Sequence, residues 1–386
     1  TGLPELRQLY SLYGAADMVK ARTWPEFGHN YNQPARELMY AWFNKHLKIG
    51  LTEPIEERDF VPVPPAELSV YDTGHPRPAD ALEVTALRAW LTRTSDEQFA
   101  ALIPKDAAGL TEYRRIVGAA ARVMLDSGVP APEEVSGASP LQQSEENGYR
   151  LYRASVTRRD KHEQIPVVAL LPGNFSGTGV LWLDGAGKKH LFDAEGRPTA
   201  AVRKLLDAGT AVMSADLFQT GEYLADGAAS PAPVVNPQFS GYTFGYNRPL
   251  IAQRVHDILT VIGGFRRHEN LTTLHLVGTG EAGLWVVLAR ALAGDNVKRC
   301  VVDLQGFGFS KVKEANDPQM LPGGLKYGGI GGIAALAAPG ELTIFGVRDV
   351  PPPELSALRQ VYEVAKGRLK LEQETLTTAA VVELVK

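Results

Sequence analysis

The chain has 386 residues, 44% of them hydrophobic and 22% charged, with a formal net charge of −4. That length suits two domains better than one, and the composition is that of a globular chain able to bury a core. The charge balance speaks against nucleic acid, no apolar run approaches the roughly 20 residues that span a bilayer, and Cys300 is the only cysteine, which excludes an intrachain disulfide and a thiolate metal cluster.

The first fifty residues read as the end of a fold. Leu3–Ala15 is helix-like, with Leu3, Leu6, Leu9, Tyr10 and Tyr13 on one face. Met18–Thr23 reads as a short strand, Pro25–Asn32 as a polar loop, and Pro34–Lys48 as an amphipathic helix. Helix, last strand, loop and closing helix make the final unit of an α/β-hydrolase sheet, and no sheet precedes them in the sequence. Residues 1–50 are therefore expected to be the C-terminal tail of an upstream α/β-hydrolase domain, with that domain or a companion chain as partner. The start at Thr1, without methionine or signal peptide, fits a piece of something longer. The loop carries His29 between Gly28 and Asn30, where a hydrolase triad keeps its general base; the competing reading is an ordinary surface histidine.

Residues 51–78 form a Pro-rich linker, and 79–386 form the second domain. Its lead-in, 79–147, is helical in three runs, ALEVTALRAWLTR, SDEQFAALIP and GLTEYRRIVGAAARVMLD, with a helix start at Ser95 and a polar loop from Gly128 to Asn147. Residues 148–386 hold the sheet core. Ile165–Leu171, Val180–Leu183, Ala211–Ala215, Leu274–Val277, Cys300–Leu304 and Leu342–Phe345 read as strands, alternating with helices at Thr199–Asp207 and after Pro249. This alternation predicts an α/β fold with a doubly wound, mainly parallel sheet flanked by helices.

The most informative run is LHLVGTGEAG, followed by the apolar helix LWVVLARALAG. Strand, tight turn and packed helix match the nucleophile elbow of an α/β-hydrolase, whose strained apex needs small neighbours. Gly278, Ala282 and Gly283 supply these, but the apex is Gly280, so the nucleophile is missing. Glu281 could substitute as acid, base or nucleophile, yet an acidic residue in a first helical turn already suits the helix dipole.

Other triad parts are scattered. Asp349, just past the last strand of the set, stands where triad acids sit and reads as vestigial. The eight histidines are at 29, 46, 75, 162, 190, 256, 268 and 275, so none follows it as a base. Arg254 and Asp257, three apart on a helix, read as an ion-pair brace. Asp216 is expected to fix its loop through backbone hydrogen bonds. Ser310 is an alternative nucleophile without an elbow or a neighbouring base. No histidine or acidic cluster has metal-ligand spacing.

The strings FGHNYNQPARELMYAWFNKHL, GYTFGYNRPLIAQRVHDILT, LHLVGTGEAG and DPQMLPGGLKYGG resemble the acetylxylan-esterase-like α/β-hydrolases of the large tandem, planctomycete type. In these, an active hydrolase domain is followed by a degenerate copy. The resemblance implies that His29 is the catalytic base of the first domain and Gly280 the empty elbow of the second. It also implies ester hydrolysis on acetylated polysaccharide or a small ester, no metal or organic cofactor, a periplasmic or secreted location and a possible homo-oligomer. The alternative is a stand-alone pseudo-hydrolase that binds carbohydrate or protein, with Trp182, Tyr223, Tyr242, Phe244 and Tyr246 as aromatic platforms.

Overall fold

The computed structural model describes residues 2–137, 139–224 and 235–385, and the chain divides into two compact units, the first ending at Leu82 and the second starting at Glu83.

The first unit has two α-helices, α1 (Gly2–Leu12) and α2 (Gln33–Leu47). Asn32 caps α2 by accepting from the Ala35 N–H, Pro34 sits in the first turn, and Lys48 ends the helix in the left-handed region at φ 53°. The segment after α2 returns to it. Buried Asn44 donates to the Leu51 carbonyl (2.9 Å) and accepts from the Leu51 N–H (2.8 Å). Arg36 and Tyr40 both donate to Glu57, whose carboxyl is held below the usual range chiefly by Arg36. The strand expected at Met18–Thr23 is not formed. Ala16–Met18 is a 3-10 turn, and the extended backbone behind it has no ladder partner among the described residues, without which a strand leaves its polar groups unpaired. Apolar side chains stay exposed here, among them Leu9, Tyr13, Phe43 and Leu47, and α1 buries nothing.

The second unit is a nine-stranded sheet between two helical layers. In chain order it contains α3 (Val84–Leu102), α4 (Ala107–Leu125), β1 (Ser139–Glu146), β2 (Tyr149–Arg158), β3 (Glu163–Pro172), β4 (Thr178–Asp184), α5 (Ala200–Asp207), β5 (Ala211–Ala215), α6 (Ser240–Tyr246) and α7 (Leu250–Phe265). It continues with β6 (Thr273–Thr279), α8 (Ala282–Ala293), β7 (Arg299–Asp303), α9 (Gly329–Ala334), β8 (Glu341–Phe345), α10 (Pro353–Val364), β9 (Leu369–Leu371) and α11 (Thr378–Val385). The sheet order is β1-β2-β3-β5-β4-β6-β7-β8-β9. From β5 to β9 all pairs are parallel, while β1, β2 and β3 join antiparallel. This is an α/β-hydrolase-like fold: the crossing of β4 and β5 and the strand–turn–helix after β6 are its marks.

The central strands read as unbroken apolar runs because both faces are covered. β5, AVMSA, is buried throughout. One face packs against α4, α7, α8, α9 and α10, with Leu276, Val286 and Ile258 in its core; the other packs against α5 and α11, with Val180, Leu205 and Val382.

Two expectations differ from this. The polar stretch to Asn147 contains β1, an edge strand whose QQSEE run has no apolar alternation to announce it. β1 and β2 are joined by a two-residue Asn147–Gly148 turn, with Gly148 at φ 86°. No helix starts at Ser95, because α3 runs through it without a break.

Candidate functional site

The elbow is built as its glycines require. Gly280 follows β6 at φ 55°, in the region that suits glycine, and its carbonyl accepts from the Gly283 N–H (3.2 Å). A Cβ on Gly283 would lie 1.8 Å from the Asp303 carbonyl oxygen, and one on Gly278 would lie 2.7 Å from Val286 Cβ, so α8 packs directly on β6 and β7.

At the apex the scaffold holds a carboxylate from a neighbouring strand. A Cβ on Gly280 would stand 3.3 Å from Oδ2 of Asp184, the last residue of β4. That carboxylate is fastened on both oxygens: Thr279 Oγ1 donates to Oδ2 (2.6 Å) and the Ala186 N–H donates to Oδ1 (2.9 Å). Trp182 Nε1 in turn donates to Thr279 Oγ1 (3.2 Å). In a working hydrolase the oxyanion is held by the N–H after the nucleophile and an N–H from the loop following this strand. Here the Ala186 N–H, in the loop after β4, is spent on Asp184. Asp184 was not among the sequence candidates; its place at the end of the strand before GAG was the available signal.

Glu281 is exposed, one residue past the apex, and Gly185 abuts its backbone. Beneath it, on α7, lies buried Arg254, its guanidinium 4.0 Å over the Trp285 ring. Burial lowers the Arg254 pKa to about 10, against the opposing charges of Glu281 and Asp257. Arg254 and Asp257 do not form the expected ion pair. Both reach the same loop instead: Arg254 donates to the Phe218 and Gln219 carbonyls (3.1 and 3.3 Å), and Asp257 accepts from the Phe218 N–H (2.7 Å) and from Gln253. Burial raises the Asp257 pKa to about 7.

The acid and base positions sit at the same end of the sheet. Asp349 follows β8, exposed, with its Cβ beside Gly306. The residues after β9, where a base would be presented, are Glu372, Gln373 and Glu374, with Glu374 paired to Arg348. Asp303, at the end of β7, is committed to the Gln305 and Leu376 N–H groups (2.8 and 2.9 Å). Asp216 does fix its loop, accepting from the backbone N–H groups of Lys188 (2.8 Å) and Glu222 (3.1 Å) and from Lys188 Nζ. Ser310 Oγ donates to Glu354 (2.7 Å), which buries itself among backbone N–H groups, and among the described residues no histidine is hydrogen-bonded to this serine.

His29 belongs to the first unit. It is exposed in the loop ahead of α2, where the neighbouring Asn30 side chain accepts from the Asn32 N–H. Among the described residues no group of histidine, cysteine and carboxylate side chains could hold a metal ion, and no helix is long and apolar enough to cross a membrane.

No protein-family model matches the sequence, and no curated protein matches it. Solved structures similar to this chain include acetyl xylan esterase 1 from Thermoanaerobacterium sp., at 14% identity and TM-score 0.44, covering 73% of this chain and 92% of that one. A promiscuous CE15 esterase from a marine bacterial metagenome shows 10% identity and TM-score 0.47, over 72% and 92% of the two chains. The acetyl xylan esterase from Paenibacillus sp. R4 shows 12% identity and TM-score 0.41, over 75% and 99%. At such identities and scores these likenesses carry no argument about activity, and the fold assignment rests on the strand order and the elbow.

Proposed function

We propose that the chain is part of a serine ester hydrolase of the carbohydrate-esterase kind, and that the second unit performs no triad chemistry at its elbow. The observation behind this reading is the Gly280 apex with Asp184 beside it, on an α/β-hydrolase-like fold. In this reading the first unit is the C-terminal tail of an upstream hydrolase domain and contributes His29 as general base. The serine and acid come from that domain or from a companion chain. The serine attacks the ester carbonyl, His29 takes its proton and returns it to the leaving alcohol, and backbone N–H groups hold the oxyanion. The exposed apolar side chains of α1 and α2 supply a surface for that partner, since patches of this kind mark interaction sites. The second unit serves as scaffold or ligand holder, and its substrate class is an acetylated polysaccharide or a small ester.

The test is acetate release from acetylated xylan by the native protein carrying this sequence. His29→Ala is expected to abolish it; full activity in that variant would remove the reading.

A second reading, a carbohydrate- or protein-binding module, is favoured by one observation. Phe244 and Tyr246 on α6 line a cavity of about 960 Å³ together with Phe218, Asn247 and Arg248. Of the other aromatic candidates, Tyr242 is exposed on the same helix, Trp182 is buried in β4, and the Tyr223 hydroxyl donates to the Gln164 carbonyl.

A further inference from the structure

Away from the elbow, the second unit brings another serine, histidine and carboxylate together from three elements. Ser127 follows α4, His256 lies on α7, and Glu163 opens β3. Ser127 Oγ is 3.3 Å from His256 Nδ1, and Glu163 Oε2 is 2.7 Å from His256 Nε2. The carboxylate fixes the ring proton on Nε2 and leaves the Nδ1 lone pair facing the serine hydroxyl. The ring is turned relative to Ser–His–Asp hydrolases, in which Nε2 faces the serine, but either nitrogen can take a proton. His256 is 2% exposed, and burial, followed by the charge of Arg248, lowers its pKa, so the ring is a neutral base at pH 7.

A turn and a cavity adjoin this cluster, the cavity being lined by neighbours of Ser127 and His256. Ser127 is half-buried at a sharp turn, preceded by Asp126 in the left-handed region (φ 43°) and followed by Gly128. Asp126 and Gln253, which lies one helical turn before His256, line the cavity of about 960 Å³ beside Arg248 and Phe218. The Gly128 N–H, on the residue after the serine, has no protein acceptor among the described residues and would serve as the oxyanion donor of such a centre.

We propose that Ser127, His256 and Glu163 form an acyl-transfer centre for small carboxylic esters, with Ser127 as nucleophile. Ser127 Oγ gives its proton to His256 as it bonds the carbonyl carbon. The ester C–O bond then breaks, and the leaving alcohol takes the proton from His256. Water repeats the sequence on the acyl-serine and releases the carboxylic acid. Neither His29 nor the elbow takes part.

The competing role is a brace, in which the same hydrogen bonds tie the end of α4 to α7. A covalent probe separates the two, because a brace does not react. Diisopropyl fluorophosphate transfers its phosphoryl group to an activated serine, forming the Oγ–P bond and expelling fluoride. On the full chain, intact mass and peptide mapping are expected to show one adduct, on Ser127. It should be absent in Ser127→Ala, slowed at least about 100-fold in His256→Gln, and slowed about tenfold in Glu163→Gln, whose side chain is partly exposed and less critical to folding. His29→Ala should label at the wild-type rate, so failure here is distinct from failure of the His29 reading. No adduct on the wild-type chain, an adduct elsewhere, or labelling indifferent to both His256→Gln and Glu163→Gln overturns the proposal.

Discussion

Asp184 and Gly280 meet at the tip of the elbow: the carboxylate of one stands 3.3 Å from where a side chain on the other would begin. Residue 280 has no side chain to act as nucleophile, and the contact crowds any that would be added. Thr279 and Ala186 hold the carboxylate in place, so the apex is filled and hydrogen-bonded.

Gly280→Ser should therefore add no esterase activity to that of the unsubstituted chain. The new Cβ meets a φ of 55° and the Asp184 carboxylate, and no histidine after β9 can take the proton. A stability loss of about 1–2 kcal/mol is expected from the left-handed backbone and the crowding. Urea unfolding and p-nitrophenyl acetate turnover check this together.

Gly283→Ala is expected to be far more damaging than its size implies. Its Cβ would overlap the Asp303 carbonyl oxygen at 1.8 Å, and neither α8 nor β7 can move without disturbing the core. The cost should exceed about 3 kcal/mol, seen as a fall in Tm of several degrees.

Asp216 is tied to Lys188 and Glu222 so closely that Cβ atoms on Gly187 and Gly221 would come within 2.3 and 2.1 Å of its carboxylate. Asp216→Asn loses acceptor capacity in a buried network and should cost about 2–3 kcal/mol. Asp216→Glu should be no better, for want of space. Thermal unfolding of both variants decides this.

His275, inside β6, is buried with Nδ1 unpartnered, and burial holds its pKa down to about 4. The unfolded chain takes up a proton near pH 6.5, so below that pH the unfolded state binds more protons than the folded one. Stability from this source is complete above pH 6.5 and is lost as the pH falls towards 4, by up to about 3 kcal/mol. His275→Leu should flatten the acid side of the stability profile, as read from urea midpoints at pH 7 and pH 4.5.

The parallel core was legible because strands buried on both faces are continuous apolar runs: Ala211–Ala215 reads the same in sequence and structure, and β6 and β7 differ by one or two residues. The antiparallel edge was not. β1 is polar, and only the Asn147–Gly148 pair signalled its hairpin. The glycine turn at Gly280 was legible because it is local, set between an apolar strand and an apolar helix. Asp184 was not, since it comes from a strand 96 positions earlier and only the fold brings it to Gly280. Distance along the chain also hid the Ser127–His256 contact and the shared grip of Arg254 and Asp257 on the Phe218 loop.

The most direct test of the account is kcat/KM for p-nitrophenyl acetate in the native protein, measured in a Ser127→Ala background and compared across that background alone, with His29→Ala and with Glu281→Gln. Loss of a general base should lower the value at least about 1,000-fold with His29→Ala, while Glu281→Gln stays within about twofold of the background. Turnover that survives His29→Ala and falls with Glu281→Gln would place the chemistry at the second unit's elbow and contradict the account.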